Sequence, residues 1–204
     1  MLQKKTNEIL KRCDETLAVA GFGLEDIRSS PERRLAGLRN LVVFGRAVTN
    51  GLQNLRSTEA NFDDWYSPFQ KEMENDPLMK YFYRLRTEIL KEGNIRTGIH
   101  THIKGFQFPP NLEKVGPPPP NAKNFFIGDQ LGGSGWEVMM DDGSVKKYYV
   151  NLPGDIAQVE IHLPEAPNEH LGNKLNSKDI EYLGTLYLNY LKRLVEEAKR
   201  KFKG

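Results

Sequence analysis

The sequence predicts an α+β fold, a helical bundle with a small antiparallel β-unit inserted before the C-terminal helix. Three observations carry that expectation. Apolar residues recur at steps of three and four through the first ninety or so residues and again near the end. Between them, from residue 95, the pattern changes to period two with β-branched residues. An Asp-Gly pair then separates two short strand-like runs, as in a hairpin. The expected organisation is a single domain over 1–204, with a bundle from 1–94, a β-unit from 95–165 and a last helix from 177–204 that returns to the bundle.

The first helix is expected over Lys4–Ala20, with Ile9, Leu10 and Leu17 on its apolar side and Gly21 and Gly23 as its stop. The second has the strongest pattern. Ser30 reads as its N-cap and Pro31 as its first helical residue. Leu35, Leu38, Leu41, Val42, Val48, Leu52 and Leu55 then form a buried stripe. Gly37, Gly45 and Gly51 interrupt that stripe at a cost of roughly 1 kcal/mol each against alanine, and close approach of a neighbouring helix accounts for them. A short helix is expected from Phe62 to Glu74. Asp76-Pro77 repeats the cap-plus-proline start for another, which Gly93 closes.

Ile95 to Phe108 alternates as a strand, with Ile95, Thr97, Ile99, Thr101 and Ile103 on one parity. Residues 108–120, with four successive prolines, form a polyproline-type connector that no sheet or helix interior tolerates. Strands are then expected at 125–127, 136–140, 145–150 and 159–163, with the Asp142-Gly143 turn joining the middle pair. The glycine-rich stretch 128–135 lacks the Lys-Ser/Thr ending of a phosphate loop and reads as a flexible β-connection.

Composition narrows the function classes. Hydrophobic residues make up 38% of the 204, enough to build a core, so a disordered chain is excluded. The net charge of +2 does not mark a dedicated nucleic-acid binder. No run of about 18 apolar residues predicts a membrane span, and no apolar segment follows the N-terminus as in a signal peptide. The single cysteine, Cys13, excludes an internal disulfide and reads as a partly buried small residue; a cytoplasmic setting is the expectation. The basic C-terminal turn, Lys199 to Lys203, is explained by the negative end of the helix dipole. No cofactor motif is present.

Chemistry-bearing residues gather near residue 100. RNA cleavage through the 2′-hydroxyl needs no metal, but it needs a near-neutral acid or base and a cation for the phosphorane-like transition state. Arg96, His100 and His102 share one strand face and could converge on a phosphate; the same three residues also read as a strand's polar face. Arg86 is the other candidate phosphate clamp. A second chemistry is open at the same place: His100 and His102 with His162 could bind zinc, which needs at least three protein ligands.

Two stretches of the helical half, Leu38-Arg39-Asn40-Leu41-Val42-Val43-Phe44 and Phe82 to Gly93, carry a family likeness that covers about the first 95 residues and the last helix. Through them the chain resembles the HEPN superfamily, many of whose members are prokaryotic ribonucleases, toxins or phage-defence components. The second stretch resembles the family's Arg-and-His helix, with Arg86 as its arginine. Where that motif would place histidine this chain has Lys91, and lysine cannot act as a near-neutral acid–base without a large pKa shift. The Arg96/His102 pair fits the spacing, but it follows Gly93 in a strand. The resemblance therefore implies either a non-catalytic binding or assembly protein of a prokaryotic defence or stress system, or an enzyme whose site has moved. It also implies a homodimer, with RNA as a possible partner.

Overall fold

The structure, a computed structural model, describes residues 2–104 and 114–203. It has an α+β architecture of two compact units, one formed by residues 1–96 with 164–204 and the other by 97–163.

The helical unit begins with α1, Leu2–Ser29, which runs through both glycines expected to stop it. Gly21 has open space around its α-carbon, so nothing there breaks the helix. At Gly23 a helical neighbour takes the place of the missing side chain. A Cβ there would lie 2.5 Å from the Gly37 carbonyl oxygen, and one on Gly37 would lie 2.5 Å from the Gly23 oxygen. The two backbones thus touch where α1 crosses α2, Arg34–Gln53. Ser30 is extended as a cap should be, but its side chain caps nothing, and Pro31–Arg33 form a 3-10 turn before α2 begins. Gly45 and Gly51 face Tyr187 and Cys13, so all three α2 glycines mark close approaches.

A second 3-10 turn, Asn54–Ser57, leads to α3, Phe62–Asn75, and α4, Pro77–Glu92. Asp76 caps α4 by accepting from the Met79 amide, and Gly93 ends it in the left-handed region at φ 67°. The last helix, α5, spans Ile180–Phe202 and is capped by Asp179, which accepts from the Glu181 and Tyr182 amides. It starts three residues after the expected Ser177. Leu183, Leu191 and Leu194 on α5 are fully buried together with Leu38 and Leu41 of α2 and Leu78 of α4. Each such side chain contributes about 1.5–3 kcal/mol through the removal of apolar surface from water.

The β-unit holds two sheets. β1, Gly98–Ile103, pairs antiparallel with β5, Ala157–His162. β2, Ala122–Ile127, β3, Ser134–Met139, and β4, Val145–Val150, form an antiparallel meander. The β3–β4 hairpin turns at Asp142-Gly143 as its sequence requires, with Gly143 at φ 81° and Asp142 Oδ1 accepting from the Ser144 amide at 2.9 Å. β1 begins later than expected, and the end of the expected strand, 105–108, lies outside the described residues, as does the start of the proline-rich connector. The glycine-rich β2–β3 connection is tied down and does not behave as a loose link. Asp129 Oδ1 accepts from the Leu131 and Gly133 amides, and Oδ2 from Lys147 Nζ and the Tyr149 hydroxyl. A short hairpin of β6, Glu169–His170, and β7, Asn173–Lys174, belongs to the helical unit and had no signature in the sequence.

Candidate functional site

The residues singled out from the sequence fall in three places. Arg96 follows α4 and donates from Nη1 to Glu165 Oε1 at 3.1 Å, while Arg84 approaches the other oxygen of the same carboxylate. Arg86 is half-buried on α4, and its Nε is buried with no hydrogen-bond partner among the described residues. His100 and His102 stand exposed on one face of β1. The β1–β5 register sets Gly98 opposite His162 and His100 opposite Glu160, which adds both to that face. Because Gly98 has no side chain, the His162 imidazole lies across β1; a Cβ on residue 98 would come within 2.3 Å of His162 Cε1. The His100 and His162 ring centres are therefore 4.0 Å apart, and those of His100 and His102 are 6.5 Å apart. Among the described residues no three His, Cys, Asp or Glu side chains are grouped so as to hold a metal ion.

The fourth histidine is built into the helical unit. His170 Nδ1 lies 3.0 Å from Asp76 Oδ1, and the Leu171 amide donates to Asp76 Oδ2 at 2.6 Å. Both side chains are buried. The Asp76 carboxylate thus serves α4 as a cap and the β6–β7 hairpin as an anchor, which satisfies a polar group that would otherwise be costly to bury.

Elsewhere in the helical unit a cleft of about 430 Å³ opens among α2, the second 3-10 turn, α3, α4 and α5. α2 contributes Arg46, Thr49 and Gln53, at helical steps of three and four, and the 3-10 turn adds Arg56. α3 brings Tyr66, Gln70, Met73 and Glu74. From α4 come Met79, Lys80 and Tyr83, and from α5 Tyr187. Tyr187 reaches this position because Gly45 leaves room for its ring, which stacks on Phe82 at 4.3 Å.

The cleft's electrostatics are asymmetric. Arg46 donates to the buried Thr49 hydroxyl at 2.7 Å and lies over the exposed Tyr83 ring at 5.1 Å, with no carboxylate partner among the described residues. Lys80 is exposed and likewise has none. Arg56 pairs with Asp63 at 2.6 Å. The one carboxylate in the lining, Glu74, accepts from Gln70. Burial raises the Tyr66 phenol above its ordinary value, against the opposing pull of Arg46, Gln53 and Arg56. The sequence held one sign of this site, the polar row at residues 46, 49, 53 and 56 beside the apolar stripe of α2.

Two other features are structural. Trp65 and Phe69 are half-buried and Tyr66 is buried; their rings cluster with Phe62, and Trp65 meets Phe202 of α5 edge-on, so they do not form an open apolar patch. Cys13 is buried, and burial together with Asp14 pushes its thiol up to about 11, away from the thiolate a nucleophile needs.

The family described as bacteriophage lambda protein ea47 matches residues 28–104. That stretch contains every lining residue of the cleft except Tyr187, and it ends just after β1. Neither the curated proteins nor the solved structures include a match to the chain. Over the matched residues the chain is similar to a phage protein. Among the described residues no helix is long and apolar enough to cross a membrane.

Proposed function

We propose that this is a phage-related, HEPN-like binding protein of a defence or stress system, acting in the cytoplasm as a homodimer, whose helical half performs no catalysis. One observation carries the reading: the only histidine of the helical unit, His170, is buried against Asp76 and cannot meet a substrate. Lys91, standing where the resembled motif has histidine, lies exposed on the last turn of α4. Arg86 and Arg46 remain as cations without an acid–base partner, which suits binding better than cleavage.

The test is RNA cleavage. Purified protein is incubated with total RNA and tRNA in EDTA, beside the His100→Ala/His102→Ala double variant. No cleavage by either is expected. Cleavage by the wild type that vanishes in the double variant would replace this reading with a metal-independent endoribonuclease. One observation favours that second reading: His100 and His162 form an imidazole pair 4.0 Å apart in the β-unit, with His102 on the same strand face. Arg96 would be its clamp only after leaving Glu165, and Arg86 the alternative. Light scattering checks the dimer, since a strict monomer would remove that part of the proposal. A zinc-binding role for His100, His102 and His162 would require the rings to separate, and elemental analysis of the purified protein tests it.

A further inference from the structure

We infer that the cleft among α2, α3, α4 and α5 is the binding seat, and that it takes a small phosphate monoester whose organic group is apolar and flat; this rests on the binding-protein reading above. Three features of the cleft lead there. Its volume of about 430 Å³ lies in the range of small-molecule sites and is too small for a folded macromolecular surface. Three cations line it against one carboxylate, and two of them, Arg46 and Lys80, lack a carboxylate partner among the described residues. Met73, Met79, Tyr83 and Tyr187 add apolar and aromatic surface beside the polar Thr49, Gln53 and Gln70. A charged head and an apolar body would each find a complementary surface.

Arg46 distinguishes this arrangement from an ordinary solvated helix face. An exposed arginine usually keeps its rotamer freedom and loses it on binding. Here Thr49 and the Tyr83 ring fix the guanidinium before any ligand arrives, so less entropy is lost when its free N–H groups meet oxygens. The planar fork matches phosphate oxygens in two-point contact, and Lys80 supplies a mobile point charge beside it. Gln53 and Gln70 add amides able to donate to the ester oxygens.

The experiment is calorimetric titration of the full chain with phenyl phosphate, inorganic phosphate and benzyl alcohol, at low and high salt. The expected result is saturable 1:1 binding of phenyl phosphate, about tenfold tighter than inorganic phosphate, weakened by salt, with benzyl alcohol not binding. Lys80→Glu and Arg46→Gln should each weaken phenyl phosphate about tenfold or more, and Lys11→Glu on α1 should leave it unchanged. Lys80 is exposed, so its variant tests the site even if Arg46→Gln fails to fold. Absence of saturable binding, equal affinity in Lys80→Glu, or equal binding of benzyl alcohol would overturn the inference. Inorganic phosphate binding as tightly as phenyl phosphate would overturn the apolar half and reduce the site to a simple anion seat. The failures are separable: cleavage of RNA lost with His100 and His102 overturns the non-catalytic reading whatever the titration gives, whereas silent titrations without cleavage overturn only the ligand.

Discussion

Gly23 and Gly37 face each other across the α1–α2 crossing, each with the other's carbonyl oxygen where a methyl group would go. Alanine at either position must push two backbones apart. We expect Gly23→Ala and Gly37→Ala to cost about 1–3 kcal/mol each in urea unfolding, the range for overpacking. Gly21→Ala is the counterpart, because its Cβ would meet nothing and its backbone is already helical. That variant should gain up to about 1 kcal/mol. Equal effects at positions 21 and 23 would show that helix propensity, and not the crossing, governs both. The glycines of α2 were legible because they interrupt an otherwise apolar stripe. Gly23 was not, since the same residue ends a helix or admits a neighbour, and the neighbour lies in a different part of the sequence.

At the scale of elements, some caps and turns follow sequence chemistry, although Ser30 caps nothing and Gly21 and Gly23 do not end α1. Asp76-Pro77, Gly93 and Asp142-Gly143 do what their residue types dictate, because each acts on backbone within three residues. The β2–β3 connection shows the limit of such local reading. Its glycines suggest looseness, yet Asp129 collects two loop amides and reaches Lys147 and Tyr149 on β4. Partial burial alone would raise the Asp129 carboxyl, but Lys147, Tyr149 and the Gly133 and Leu131 amides outweigh it and hold it below its ordinary value. A carboxylate depressed in the folded state stabilises fully above its unfolded pKa of about 3.9, and that contribution fades as pH falls through the lower folded value. The β-unit should therefore lose stability on acidification below about pH 4, and Asp129→Asn should flatten that part of the profile. Near-ultraviolet circular dichroism of Trp136 and its aromatic neighbours reads the transition; an unchanged acid profile in Asp129→Asn would refute the role of this carboxylate.

For the whole molecule, the passage from helices to strands was visible as a change of hydrophobic period, whereas the cleft was not. Its lining comes from five separate elements, and only the α2 row is contiguous enough to leave a pattern. The face bearing His100 and His162 depends in the same way on strand register, which no local signal sets. The helical unit is interrupted in sequence by the β-unit, and Arg96 and Glu165, at the two ends of the interruption, form an ion pair. Replacing residues 97–163 by a short Gly/Ser linker should leave the helical unit folded, with cooperative melting and helical circular dichroism retained. A molten, non-cooperative product would show that the helical unit depends on the inserted segment.

The split of the helical unit also has a consequence during synthesis. α5 carries Leu183, Leu191 and Leu194 into the same core as Leu38 and Leu41, yet it is translated well after both helices that bear its partners, α1 and α2. At about 5–20 residues per second, the ribosome takes roughly 5–20 s to pass from the end of the first segment to the end of α5. Throughout that interval the apolar sides of α1 and α2 await their last partner. Nascent chains stalled within the β-unit would expose an unfinished core, making them candidates for chaperone capture or aggregation in a way the finished protein is not.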